Sequence, residues 1–100
     1  MARPYEGGNA MAKLIRTAAA GTEDSADVRV TVAPAETLRL TLHSTLHAQF
    51  GAAIEQTVRQ VLTEQEIDCA DVLVEDKGAL DWILRARLET ALGRAREDAQ

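Results

Sequence analysis

Apolar residues that alternate with polar ones predict three strands in the first half of the chain. A short apolar run over residues 13–20 (KLIRTAAA) predicts the first strand, and a polar turn follows it. Val28, Val30 and Val32 then recur at a period of two, which is typical of a strand with one buried face. A third strand is predicted beyond Pro34 by four leucines: Leu38, Leu40, Leu42 and Leu46.

The apolar period then changes to that of a helix, and two helices are predicted in the second half of the chain. The first spans about residues 48–65. A short strand over residues 69–75 and a turn over residues 76–78 separate it from the second helix, which begins near Leu80. The apolar stripe of the first helix is Phe50, Ile54, Val58, Val61 and Leu62, and that of the second is Leu80, Ile83, Leu84, Leu88, Ala91 and Leu92.

The resulting element order, β-β-β-α-β-α, indicates an α+β fold. We expect a small single domain with an antiparallel or mixed sheet of about four strands and two helices on one face. The single apolar face of the third strand favours antiparallel pairing for it. We expect residues 11–97 to form this domain, with residues 1–10 as a disordered lead-in and residues 98–100 as a tail.

The charge balance narrows the classes of partner. The chain has 100 residues, and its 16 Asp and Glu outnumber its 11 Lys and Arg, which gives a net charge of -5. Nucleic acids and anionic membranes are bound through clustered Lys and Arg, so we expect neither as a partner. No apolar run approaches the roughly 20 residues that span a bilayer, and residues 1–10 lack the apolar segment of a secretory signal. We therefore expect a cytoplasmic protein.

Two histidines and one cysteine are the candidates for metal binding or nucleophilic chemistry. His43 and His47 are four residues apart, but His43 lies in a strand pattern and no carboxylate motif accompanies the pair. We therefore expect solvated histidines and no metal site. Cys69 is the single cysteine, which excludes an intrachain disulfide. Its neighbours Asp68 and Asp71 raise the pKa of a thiol, so we expect a buried or half-buried structural cysteine.

The second helix carries a lone tryptophan and several arginines. Trp82 either packs at the edge of the core or serves as an anchor for a partner subunit. Asp81 and Arg85 have the i,i+4 spacing of an ion pair. The arginines form either a solvated face, which we favour, or a docking face for an acidic partner: Arg85, Arg87, Arg94 and Arg96. Pattern and composition alone thus predict a small acidic α+β domain that is a subunit of something larger.

Three segments resemble the acyl carrier (gamma) subunit family of citrate lyase. Residues 76–89 (DKGALDWILRARLE) resemble its signature, and residues 50–54 (FGAAI) resemble the start of its first helix. Residues 21–28 (GTEDSADV) resemble its modification segment. The similarity runs from about Met11 to Ala95, so residues preceding it are expected to be an addition to the usual family start.

The resemblance implies that Ser25 carries a covalent prosthetic group, 2'-(5''-phosphoribosyl)-3'-dephospho-CoA, through a phosphodiester bond. The terminal thiol of this arm holds an acetyl thioester. The alpha subunit, an acyl transferase, exchanges acetyl for citrate and releases acetate. The beta subunit, a citryl lyase, cleaves the citryl thioester to oxaloacetate and regenerates the acetyl form, as in citrate fermentation. The resemblance thus implies a phosphoprotein carrier without catalytic residues, loaded by a separate prosthetic-group transferase.

Other hydroxyls compete with Ser25 as the attachment point. Thr22 lies in the same turn but is more hindered at its β-branched carbon. Ser44 points to the apolar face of the third strand, and Thr45 follows it. The family match favours Ser25 over all three.

Three further questions stay open from the sequence. Two alternatives to the citrate lyase carrier are the acyl carrier subunit of malonate decarboxylase, which uses the same arm, and a structural adaptor subunit, which would carry no arm. A small serine hydrolase would need an internal base beside its serine. Three acidic residues surround Ser25: Glu23, Asp24 and Asp27. They repel the phosphates of the arm, pair with basic residues of the partner subunits, or form an ordinary solvated turn.

Overall fold

The computed structural model describes residues 14–44 and 47–96. The predicted element order β-β-β-α-β-α is confirmed. The elements are β1 (Ala18–Gly21), β2 (Val28–Ala33), β3 (Leu38–Ser44), α1 (His47–Glu64), β4 (Ala70–Asp76) and α2 (Asp81–Ala95). The predicted lead-in over residues 1–10 and the predicted tail over residues 98–100 lie outside the described residues.

The four strands form one mixed sheet in the order β1-β2-β4-β3. β1 and β2 form an antiparallel hairpin, and β2 pairs antiparallel with β4, Val30 lying opposite Val74. The antiparallel pairing expected for the third strand is wrong, because β3 runs parallel to β4. A parallel neighbour requires a crossover connection, and the 18-residue helix α1 supplies it. The mixed four-stranded sheet itself was predicted.

One face of the sheet is buried under both helices. The valines of β2 at alternate positions are fully buried, as are Val72 and Val74 of β4 beside them. α2 covers β1 and β2, while α1 lies over β3 and against α2. Burying each such aliphatic side chain contributes about 1.5–3 kcal/mol, so this aliphatic layer is the main source of stability. The opposite face carries the polar residues of the alternating pattern, such as Arg29 and Arg39.

Two predicted core residues lie at the surface instead. Leu80 is 61% exposed because it is the extended residue that precedes α2, with ψ 156°, and so lies outside the helical stripe. Phe50 is 48% exposed, whereas the neighbouring Gly51 is buried. The rest of the two stripes is buried or half-buried, as the periodicity predicts.

The first strand is shorter than predicted because the chain before it bonds elsewhere. The backbone N–H groups of Ile15 and Arg16 donate to the carbonyl oxygen of Ala95, at 2.7 and 3.2 Å. The Arg16 side chain donates to the carbonyl oxygen of Arg94 at 2.8 Å, so it satisfies the free carbonyl groups at the end of α2. This segment therefore ties the start of the described chain to the end of α2.

The predicted ion pair between Asp81 and Arg85 does not form. Arg85 reaches across to α1 and bonds Glu64 at 2.8 Å. Asp81 instead accepts a short hydrogen bond from the hydroxyl of Thr57, which is buried in α1. Both residues therefore join the two helices rather than each other.

The backbone at Gly21 closes the β1–β2 hairpin in a way that only glycine permits. Its φ is +94°, and an ideal Cβ at this position would lie 1.9 Å from the carbonyl oxygen of Val28. We expect Gly21→Ala to lower the free energy of unfolding by about 2 kcal/mol or more, because the hairpin must open to admit the methyl group. Urea denaturation measures this change.

Gly93→Ala is the matched control for that experiment. Gly93 is exposed in α2, and an added Cβ would meet no atom within 4 Å. This change should raise the free energy of unfolding by about 0.5–1 kcal/mol, since alanine is the better helix former. Equal effects of the two substitutions would contradict the constraint at Gly21.

Candidate functional site

Ser25 lies at the tip of a β-turn that connects β1 to β2. The backbone N–H of Asp27 donates to the carbonyl oxygen of Asp24 at 3.0 Å, which places Ser25 and Ala26 at the two central positions. The Ser25 side chain is exposed, and the structure gives its hydroxyl no hydrogen-bond partner among the described residues. The turn therefore presents this hydroxyl to an approaching enzyme.

The turn is joined to a second turn that follows β4. The N–H of Ala26 donates to the carbonyl oxygen of Lys77 at 2.8 Å, and the N–H of Lys77 donates to that of Asp27 at 2.9 Å. Ala26 has a φ of +68°, and a positive φ at the second central residue is characteristic of a type II turn. These two backbone bonds hold the residues on the C-terminal side of Ser25 against the end of β4.

Asp27 connects the same turn to α2. Both carboxylate oxygens accept from Arg87: Nε to Oδ1 at 3.1 Å and Nη2 to Oδ2 at 2.9 Å. The carboxylate also accepts from the Thr22 hydroxyl and from the N–H of Val28, each at 2.7 Å. The Arg87 guanidinium, together with these donors, holds the pKa of Asp27 well below its ordinary value. Asp27 is thus a charged structural residue of the site.

The acidic residues around Ser25 do not form a uniform negative ring. Asp27 turns toward α2, where Arg87 balances its charge. Glu23 lies 3.9 Å from Arg29, with both side chains about half exposed, so this pair is weak. Asp24 is exposed and its carboxylate has no ion-pair partner among the described residues. The repulsion hypothesis therefore rests on Glu23 and Asp24 alone, on one side of the turn.

The competing hydroxyls are already engaged. The Thr22 hydroxyl donates to Asp27 and accepts from the N–H of Asp24 at 3.2 Å. Ser44 is half-buried and donates to Asp76 at 2.8 Å, which confirms that it faces the apolar side of β3. Thr45 lies outside the described residues. In the part of the chain that the structure describes, these observations leave Ser25 as the accessible hydroxyl of the turn.

The histidine and cysteine candidates lie in separate parts of the fold: His43 is in β3, His47 begins α1, and Cys69 precedes β4. His43 is exposed on β3, and the side chain of His47, the first residue of α1, lies outside the described part. Within the described residues no cluster of His, Cys, Asp and Glu could hold a metal ion. Cys69 is exposed, so the expected burial is wrong, and its thiol donates to the carbonyl oxygen of Glu36 at 3.3 Å. Local desolvation, with Asp68 beside it, raises the pKa of the thiol, as the sequence predicts.

The arginines of α2 are bonded to neighbouring elements rather than forming a solvated face, which corrects the sequence-based expectation. The Arg87 guanidinium donates to the Asp27 carboxylate, and Arg94 donates to the carbonyl oxygen of Ala19 in β1 at 2.7 Å. Arg96 bonds Gln65 at the end of α1. One feature of the sequence did indicate that an arginine of α2 is not fully solvated. Arg85 and Arg87 lie about 200° apart around a helix axis, so one of them must approach the apolar side.

The described residues present the Ser25 hydroxyl to solvent, and none of them bonds it. No side chain among the described residues lies within hydrogen-bond distance of the Ser25 oxygen to act as a base. An exposed primary hydroxyl on a fixed turn fits esterification by an external enzyme, because it offers access from several directions.

In the described part of the chain, no helix is both long and apolar enough to cross a membrane.

Comparisons with known proteins place the chain among acyl carriers. A family model described as ACP, malonate decarboxylase delta subunit (MdcD), matches residues 15–95. The citrate lyase acyl carrier protein of Serratia proteamaculans is 52% identical over 90 residues, 88% of each chain. That of Haemophilus influenzae (strain PittEE) is 48% identical over 86% of this chain and 90% of its own.

A solved structure shares the fold. A chain in a crystal structure of a Pseudomonas malonate decarboxylase hetero-tetramer in complex with malonate superposes with a TM-score of 0.73. The alignment covers 85% of this chain and 89% of that one, at 18% identity. The architecture of one mixed sheet under two helices is therefore shared at low sequence similarity.

The Asp27–Arg87 bond should make part of the stability depend on pH. A carboxyl whose pKa is lowered by folding stabilises the protein above its unfolded pKa of about 3.9, and this contribution is lost as the pH falls toward the folded pKa. We expect Arg87→Gln to lower stability at neutral pH and to flatten the decline below about pH 4. Denaturant midpoints at a series of pH values measure both effects.

Arg59→Gln is the control for that series, because Arg59 makes an exposed ion pair with Glu55 within α1. Its midpoints should follow those of the unchanged chain at every pH, since exposed pairs contribute little. A pH dependence for Arg87→Gln identical to that of the unchanged chain would contradict the assignment.

The positive φ at Ala26 should make glycine the more stable residue at that position. The left-handed conformation costs alanine about 1–2 kcal/mol, whereas glycine adopts it freely but loses more entropy on folding. We expect Ala26→Gly to raise the free energy of unfolding by about 0.5 kcal/mol. Ala35→Gly, in a loop without positive φ, should lower it, and a loss of stability in both variants would argue against the turn geometry.

Proposed function

This chain belongs to the citrate lyase acyl carrier protein family, and on that basis we propose that it is the acyl carrier subunit of a citrate lyase. Ser25 would carry 2'-(5''-phosphoribosyl)-3'-dephospho-CoA, its oxygen bonded to the 5''-phosphate. The observation that carries the proposal is the exposed Ser25 hydroxyl, at the tip of a turn that β4 and α2 hold in place. An unhindered oxygen on a fixed backbone is what an installing transferase needs in order to form the ester.

The prosthetic group would supply the thiol that carries acyl groups as thioesters, and the chain would position that group. With acetyl on that thiol, a transferase subunit would replace it by the citryl group of citrate and release acetate. A lyase subunit would then release oxaloacetate from the citryl group and leave acetyl on the thiol. These are the alpha and beta subunits implied by the family, and both would have to approach the turn that bears Ser25.

The role of this chain in that cycle is to hold the arm where two active sites can reach it. A tether converts each encounter between thioester and enzyme into an intramolecular one, with an effective concentration of the order of millimolar for a short flexible linker. A movable turn would let the arm sample a larger volume and so lower the effective concentration of the thioester. The bonds from Asp27 to Arg87 and from Ala26 to Lys77 fix the base of the tether.

A second candidate is the acyl carrier subunit of malonate decarboxylase. The matching family model carries that description, and so does the assembly that contains the similar fold. The sequence identity favours citrate lyase, since the citrate lyase carriers reach 52% whereas the malonate decarboxylase chain reaches 18%. Reconstituting the loaded chain with each set of partner subunits distinguishes the two. We expect turnover of citrate and none of malonate.

The attachment itself is tested by mass. After co-expression with the enzymes that make and transfer the arm, the intact chain should gain the mass of one group, and peptide mapping should place it on the fragment that contains Ser25. Ser25→Ala should gain no mass and should support no citrate cleavage. Its unfolding midpoint should stay within error of the unchanged chain, because the exposed Ser25 hydroxyl makes no hydrogen bond among the described residues that the substitution would remove.

Thr22→Ser is the matched control, since it keeps the hydroxyl that holds Asp27 while removing the β-branch of the competing residue. It should load normally on Ser25. An unmodified chain that still assembles with its partner subunits would instead identify a structural adaptor. Ester hydrolysis by the isolated, unmodified chain would favour a hydrolase.

A further inference from the structure

A shallow groove of about 310 Å³ lies directly beside the attachment turn. One wall is the turn itself, where Ala26 follows the attachment residue. The other wall is a face of α2, where residues three or four positions apart lie on the same side of the helix. The groove is lined by Ala26, Asp27, Trp82, Ile83, Ala86, Arg87 and Thr90.

The most exposed large apolar side chain of the described residues belongs to this groove. Trp82 is 67% exposed, so the prediction that it packs at the edge of the core is wrong. An indole exposed to this extent offers a flat face that is suited to stacking against another ring. It is also the only tryptophan in the chain.

The charges beside the groove are balanced. The Asp27 carboxylate would repel a phosphorylated ligand, but the Arg87 guanidinium bonds both of its oxygens. Glu23, whose ion pair with Arg29 is weak, and Asp24 do not line the groove. A ligand that combines a neutral ring with nearby phosphates therefore meets less repulsion here than on the other side of the turn.

The order of parts along the proposed arm places its adenosine close to the protein. From the serine outward come the 5''-phosphate, a ribose, the adenosine, the diphosphate and the pantetheine with its thiol. The only flat aromatic ring of the arm is thus near the attachment point, and the reactive thiol is at the far end. The groove volume lies at the lower end of the range for small-molecule pockets, which suits one nucleoside rather than the whole group.

We propose that this groove seats the adenine of the arm on Ser25, stacked on the indole of Trp82. The inference rests on the proposed function, since it takes the arm as the occupant. Stacking on an aromatic side chain requires no base-specific hydrogen bond. The short tether supplies the high local concentration that such a weak contact needs. With the adenine held, the pantetheine alone swings, and it leaves the protein from the side of α2.

The lone tryptophan makes the contact directly measurable. Intact mass first establishes that the chain is loaded. Tryptophan fluorescence, excited where adenine does not absorb, then compares the loaded with the unloaded chain in the absence of other subunits. We expect loading to reduce both the emission intensity and the rate of acrylamide quenching by roughly twofold, because the stacked base covers the indole. Free dephospho-CoA at millimolar concentration should quench the unloaded chain in the same direction.

A pair of alanine variants locates the effect. Ala86→Glu fills the groove and adds a negative charge while leaving Trp82 in place, and Ala53→Glu puts the same side chain on an exposed position of α1. Both should load fully. The loading-dependent change should disappear in Ala86→Glu and persist in Ala53→Glu.

The outcomes separate this inference from the function on which it rests. A chain that gains the mass of the arm but keeps the fluorescence of the unloaded form overturns the docking and leaves the carrier function intact. So does an indole that is covered only when a partner subunit is added, which would make Trp82 an interface residue. A chain that gains no mass overturns both proposals.

Discussion

The carboxylate of Asp27 is the interaction on which the geometry of the site depends. It accepts four hydrogen bonds: two from Arg87 in α2, one from Thr22 before the turn and one from the backbone of Val28 after it. One side chain therefore joins both ends of the turn to the helix layer. Bonds between oppositely charged groups with two parallel contacts are strong and directional, so they fix an angle as well as a distance. The turn is held as part of the domain, and Ser25 is the residue in it that remains free to react.

The sheet and both helices could be predicted from periodicity because each periodic segment has one buried side. The buried side of β2 can be read from its alternating valines, and that of α1 from the helical spacing of Val58, Val61 and Leu62. Neither requires knowledge of the element that packs against it. The direction of β3 could not be predicted in this way. A half-buried strand has the same alternation whether its neighbour is parallel or antiparallel, and only the path of α1 decides between them.

The candidate site shows the same division between local and distant information. The position of Ser25 on an exposed turn could be predicted from a local segment, since that segment has a polar sequence with a glycine at its start. The partner of Asp27 could not be identified, because Arg87 is 60 positions away and helix geometry shows only that either Arg85 or Arg87 approaches the apolar side. The positive φ of Ala26 could not be predicted either, since alanine rarely adopts that conformation whereas glycine adopts it freely. The exposure of Trp82 and Leu80 follows from where α2 begins, and sequence patterns place helix ends less accurately than helix interiors.

The link between the hairpin turn and the later elements also fixes the order in which the domain can be completed during synthesis. The turn is in the first third of the chain, but its backbone partner Lys77 and its helical partner Arg87 emerge from the ribosome much later. One of the two interior strands of the sheet, β4, is the last strand to be made. A nascent chain therefore has the serine long before it has the finished turn. An enzyme that recognises the turn by shape would act only on completed molecules, so that incompletely folded copies would escape modification.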